Sequence, residues 1–236
     1  MGGSRRRTVL LTGAAEGLGA SIVETFARAG HDVLGLSRTD RSSRLLERLA
    51  EQGGGSYTHL VCDIARPPEL IAAIVPYADH IDVLIHNAHV LTIRSFVETA
   101  VVEFEQAWRV ACLGAMVSAQ TVISHMAARN DGTIILTGAT AGLRGGANFS
   151  AFASAKFALR GLAQSLAREY GPRGVHVAHV VLDGLIDGPQ TDRRFGPSPS
   201  GRMDAKAIAQ AYLDLAAQKP SAWTHEMDLR PFAERF

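Results

Sequence analysis

Apolar runs of strand length alternate along this chain with longer segments of helical period. That alternation admits few folds, because it is the signature of repeated βαβ units around a parallel sheet. Strands are expected at 8–12, 32–36, 58–62, 83–86, 132–137 and 175–181, and helices at 18–29, 41–51, 68–75, 101–128, 152–170 and 204–217. The strands are apolar almost throughout, which implies helices on both sheet faces. The 236 residues are read as one domain, 1–236. The stretch 183–202, rich in Gly, Pro, Ser and Asp, follows the last clear strand. It reads either as a substrate lid or as a surface connection.

Composition narrows the function classes. With 47% hydrophobic and 20% charged residues, and 24 Lys+Arg against 23 Asp+Glu, the chain is neither disordered nor a nucleic-acid-binding polycation. No uninterrupted apolar run reaches the roughly 18 residues of a membrane span. Arg5, Arg6 and Arg7 precede Val9-Leu10-Leu11, but Thr12-Gly13 ends that run too early for a signal-peptide core. Met1-Gly2-Gly3-Ser4 lacks the Ser or Thr at position 6 that a myristoylation signal needs. Cys62 and Cys112 read as buried thiols of a reducing compartment. The expectation is a soluble, cytoplasmic protein without nucleic-acid or membrane partners.

Between the first expected strand and helix lies Thr12-Gly13-Ala14-Ala15-Glu16-Gly17-Leu18-Gly19. Glycines at such a junction permit a tight turn and let backbone N–H groups approach a pyrophosphate at the helix N-terminus, the arrangement that binds a dinucleotide. The next strand ends in Ser37-Arg38. An acid there would bond a ribose 2′-hydroxyl of NAD, whereas an arginine pairs with the 2′-phosphate of NADP. NADP(H) is therefore favoured over NAD(H), with Arg41 and Arg44 adding to the field and Glu16 opposing it. The alternative is that Arg38 is a solvated turn residue and Arg44 a helix-surface charge.

With these landmarks, Asp63 after the third strand, Asn87-Ala88 after the fourth and Lys156 in the long fifth helix, nearly the whole chain resembles the classical short-chain dehydrogenase/reductase family. The resemblance implies a Rossmann-type doubly wound parallel sheet of about seven strands and an NAD(P) cofactor. It also implies a homodimer or homotetramer packed through the two long helices. Gly13, Glu16, Gly17, Leu18 and Gly19 would surround the pyrophosphate, with Leu18 covering it through its backbone. Ser37 and Arg38 would meet the adenosine ribose, and Asp63 and Ile64 the adenine. Asn87, Ala88, Lys156 and Ile186 would hold the nicotinamide half.

Members of that family carry Asn, Ser, Tyr and Lys as a catalytic group, of which only Lys156 is present here. The tyrosine place holds Phe152, the serine place Ala139 and the asparagine place Ala111. None of Tyr57, Tyr77, Tyr170 and Tyr212 has a lysine four residues on. Asn-Ala-Gly reads Asn87-Ala88-His89, and Pro-Gly after the sixth strand reads Asp183-Gly184. This combination, with an ending like Trp223 to Pro231, resembles an atypical bacterial subgroup lacking the catalytic Ser and Tyr.

A positioned acid or base is worth roughly 10²- to 10⁴-fold in rate, so ketone reduction by the usual route is not expected. Hydride transfer still needs only a cofactor and an aligned acceptor. His89 and Thr140 are the candidates for handling the proton, with Lys156 at the cofactor ribose; His89 would either act on substrate or clash with cofactor. His86-x-x-His89 and His176-x-x-His179 do not make a metal site, since no Cys or acidic cluster completes them. The leading reading is an NADP(H)-linked oxidoreductase with a rebuilt site for a small, largely apolar carbonyl, imine or activated alkene. The alternatives are a non-catalytic or regulatory homologue, as partner subunit of an active enzyme, and a non-redox lyase or cyclase.

Overall fold

The computed structural model describes residues 6–197 and 201–233, so residues 198–200 of the candidate lid and the first five residues lie outside the described residues. Seven parallel strands form one sheet in the order β3-β2-β1-β4-β5-β6-β7. They are β1 Thr8–Thr12, β2 Asp32–Ser37, β3 Ser56–Val61, β4 Ile81–His86, β5 Gly132–Thr137, β6 Val175–Leu182 and β7 Glu226–Leu229. This is the expected Rossmann-type α/β fold. The winding direction reverses between β1 and β4, and a crevice follows at the carboxyl ends of the strands.

Burial explains which strands were legible. β4, β5 and β6 are buried at every position, as strands covered on both faces must be, whereas the edge strands β3 and β7 alternate with exposed residues. Along β1, Leu10 faces one apolar layer, and Val9 and Leu11 face the other. The first layer packs α3 Pro67–Ile74, α5 Gly114–Arg129 and α6 Ser150–Tyr170 on the sheet. The second holds α1 Leu18–Arg28, α2 Ser43–Gly53 and α8 Ala205–Ala216, with Phe26 and Tyr212 fully buried.

The structure departs from the sequence reading in three places. The helix expected at 101–128 is α4 Val101–Trp108 followed by a widened π-type turn over Arg109–Leu113 and then α5. The stretch 183–202 contains a short helix, α7 Pro189–Phe195, and Ile186 bridges to Met203. The charged ending supplies β7, pairing His179 with Glu226 through Leu182 with Leu229. Counting apolar runs also understated α4–α5: Val101–Arg129 is long and apolar enough to cross a membrane, although its most apolar window is 61% buried inside the protein.

Tyr212 ties the second helical layer to the sheet by donating its hydroxyl to Thr137 Oγ1 at 2.9 Å. A buried hydrogen bond of this kind contributes about 1 kcal/mol. Tyr212→Phe should lower unfolding stability by about that amount in urea titration at unchanged m-value. An unchanged midpoint would show that the bond contributes nothing.

Candidate functional site

The crevice is built from backbone that only glycine allows. After Thr12 the chain turns at Gly13 (φ +78°), and the Gly13 and Ala14 N–H groups both donate to the Leu36 carbonyl, at 2.9 and 3.0 Å. A Cβ on Gly13 would lie 2.9 Å from the Ala88 backbone, and one on Gly19 would lie 2.6 Å from the Gly13 carbonyl oxygen. Asn87 closes the contact from the β4 side, its Nδ2 donating to the Gly13 carbonyl at 3.3 Å and its N–H to that of Thr12 at 3.2 Å. Gly17 (φ +86°) begins α1 without a side-chain cap, so the first-turn N–H groups remain available to an anion.

These residues line a cleft of about 1140 Å³. At one end stand Ser37, Arg38 and Arg41, with Asp63 and Ile64 across from them; Glu16, Gly17, Leu18 and Gly19 form its middle. Asn87, Ala88, His89, Ala139, Thr140, Phe152, Lys156 and Ile186 line the other end. Arg44, grouped with Arg38 by its sequence position, does not line the cleft. Ala111 does not either: it sits 1% exposed in a cluster with Ala107, Ala151 and Ala155. The Ser37 hydroxyl donates to the Thr39 carbonyl at 2.7 Å, and Asp63 Oδ1 accepts the Ala65 N–H at 3.1 Å.

Lys156 is buried and has no carboxylate partner among the described residues. It is 2% exposed, and its Nζ donates to the Thr137 carbonyl at 2.6 Å and lies 5.6 Å from the Phe152 ring centre. Loss of water lowers its pKa to about 7. Phe152 packs with Ala141, Ala153, Ala139, Leu91 and Phe149, making an apolar wall at this end of the cleft. His89 meets that wall edge-on, 6.0 Å between ring centres. Its side chain is accessible from the open cleft, yet the surrounding walls first and Lys156 second lower its pKa to about 4.

Behind the site, His86 is fully buried. Its Nε2–H donates to the Val110 carbonyl at 3.1 Å in the widened turn, and Nδ1 accepts from the Thr12 hydroxyl at 2.9 Å. Burial lowers its pKa to about 3. His176 stacks on Trp223 with ring centres 5.0 Å apart, and His179 Nδ1 lies 2.9 Å from Glu226 Oε2, so this pair serves the β6–β7 edge.

One cluster went unnoticed in the sequence. Thr140 donates its hydroxyl to Asp183 Oδ1, and Asp183 is 1% exposed with Arg144 at 3.6 Å and Arg230 at 3.4 Å. A carboxylate immediately after a fully buried strand was the signal.

Residues 7–194 match the short chain dehydrogenase family, and the chain belongs to it. It is 30% identical over 234 residues to the short-chain reductase protein NovJ of Streptomyces niveus, covering 97% of this chain and 88% of NovJ. A short-chain dehydrogenase from Rhodopseudomonas palustris superposes with a TM-score of 0.84 at 36% identity, over 97% of this chain and 100% of that one. A metagenomic short-chain oxidoreductase in complex with NADP shares the fold at 24% identity, TM-score 0.83, over 97% and 98% of the two chains. The chain is thus a short-chain oxidoreductase by family.

Lys156 makes the electrostatics testable. A lysine whose folded pKa is depressed to about 7 destabilises the fold below that pH, and the penalty fades as pH rises toward the ordinary lysine value of 10.5. Cofactor-free Lys156→Met should therefore gain stability over wild type at pH 6 by on the order of a few kcal/mol, an advantage that shrinks by pH 10. Parallel stability–pH curves for the two proteins would show that Lys156 is not desolvated.

Proposed function

We propose that the chain is an NADP(H)-dependent oxidoreductase that works without the family tyrosine, on a small, largely apolar molecule bearing a carbonyl, imine or activated alkene. The observation that carries the reading is one continuous cleft running from Arg38, past the glycine turn and His89, to Phe152 and Ile186. The residues fit the cofactor. Backbone at Gly17–Leu18 and the start of α1 would receive the pyrophosphate, and Arg38 with Arg41 the 2′-phosphate. Asp63 and Ile64 would bind adenine, Asn87 and Ala88 would border the nicotinamide ribose, Lys156 would bond its hydroxyls, and the Ile186 backbone would meet the carboxamide. When bound, NADPH supplies the hydride.

Phe152, Ala139 and Ala111 stand where the family has Tyr, Ser and Asn, defining an atypical subgroup. The wall made by Phe152 and Leu91 excludes water and positions an apolar substrate, while His89 and Thr140 are the polar side chains left to move a proton. Residues 183–202 would cover the substrate as a lid, with α7 contributing Phe195 to the cleft wall. Self-association through α4–α6 to a homodimer or homotetramer would cover the exposed Trp108 and Phe157. The buried free thiols Cys62 and Cys112 suit a cytoplasmic protein.

A second reading, a non-catalytic partner of an active family member, is favoured by the apolar character of that same wall. Titration with NADPH and NADH by nicotinamide fluorescence separates the two. The oxidoreductase reading expects micromolar NADPH binding, weakened about tenfold or more in Arg38→Ala while NADH binding barely changes. Binding that appears only in His89→Gly would mean a blocked pocket and favour the non-catalytic reading.

A further inference from the structure

At the end of the cleft away from Phe152, the turn that carries Arg38 is held from behind by two residues that do not line the cleft, Tyr57 and His59. They stand at alternate positions of the edge strand β3, both half-buried while Ser56 and Thr58 are exposed, so their side chains share one face. Gly35 on the neighbouring strand makes room for them, since a Cβ there would collide with the Tyr57 phenol.

The hydrogen bonds of this pair have one direction. His59 Nε2 lies 3.1 Å from the Thr39 carbonyl oxygen and 3.3 Å from the Ser37 hydroxyl. A carbonyl only accepts, and Ser37 already gives its hydrogen to that same carbonyl, so in the neutral ring Nε2 carries the proton. Nδ1 is then the acceptor for Tyr57, whose hydroxyl lies 2.6 Å away. Burial first and the Glu47 charge second raise the phenol pKa, so Tyr57 keeps the hydrogen it donates. The chain runs from Tyr57 through His59 to the carbonyl of the residue that follows Arg38. Arg38 itself forms no ion pair among the described residues, so its backbone is tied while its guanidinium is open to a ligand.

Resting on the cofactor reading above, we propose that Tyr57 and His59 are positioning residues for the 2′-phosphate. By holding the turn over Ser37, Arg38 and Thr39 they make the preference for NADP(H) over NAD(H) depend on two side chains that never touch the cofactor. A guanidinium meets a phosphate through paired, directional hydrogen bonds, which require the arginine to be presented from a fixed backbone. A ribose 2′-hydroxyl makes no such demand, so loosening the turn weakens the phosphorylated ligand alone.

Calorimetric titration with adenosine 2′,5′-bisphosphate and with 5′-AMP reads this end of the cleft without the nicotinamide. His59→Leu should weaken the bisphosphate about fivefold and leave 5′-AMP unchanged, with Tyr57→Phe acting the same way to a smaller extent. His59→Gln, whose amide N–H still reaches toward the Thr39 carbonyl, should restore most of the affinity. In an Arg38→Ala background His59→Leu should have no further effect. Equal loss of both ligands, an unchanged bisphosphate affinity in His59→Leu, or additivity with Arg38→Ala overturns the proposal. So does ¹⁵N NMR of the ligand-free protein that finds neutral His59 protonated on Nδ1. Wild-type protein that binds the bisphosphate but not NADPH would sink the cofactor reading while leaving these comparisons intact, and binding of neither overturns both.

Discussion

Everything in the cleft depends on how closely the ends of β1 and β4 approach each other at the centre of the sheet. Gly13 sits so near Ala88 that a single methyl group would collide with backbone, and the two N–H groups strapped to Leu36 fix the turn from the β2 side. Because the chain winds in opposite directions from these two strands, no connection covers the gap above them. The open helix terminus at Gly17 and the polar edge at Asn87 follow from that geometry.

The second constraint is a buried charge beside an apolar wall. Lys156 is held in place by the Thr137 carbonyl, itself on a residue anchored from below by Tyr212. On its cleft side the ammonium meets only the Phe152 ring. The site thus sets a buried lysine and an apolar ring beside the glycine turn. The Thr140 hydroxyl beside it is bound to a carboxylate that enters from the end of β6.

Much of this was legible in the sequence because central strands in a doubly covered sheet must be apolar. The glycines and Asn87 were legible because their spacing matches a backbone requirement. β7 was not, since Glu226-Met227-Asp228-Leu229 lies at an edge where exposure removes the apolar run. The widened turn at Arg109–Leu113 left no periodic trace, being tied to a tertiary contact between His86 and Val110. Asp183 appeared in the sequence only as a departure from Pro-Gly; its partners come from Thr140, Arg144 and Arg230, far apart in the chain.

A crystal structure of the protein grown with NADP⁺ tests the central claim most directly. The account predicts the pyrophosphate on the Gly17–Leu18 backbone, the 2′-phosphate at Arg38 and the nicotinamide between His89 and Ile186 against Phe152. A cofactor ordered only at its adenosine end, with His89 standing in the nicotinamide position, would contradict it.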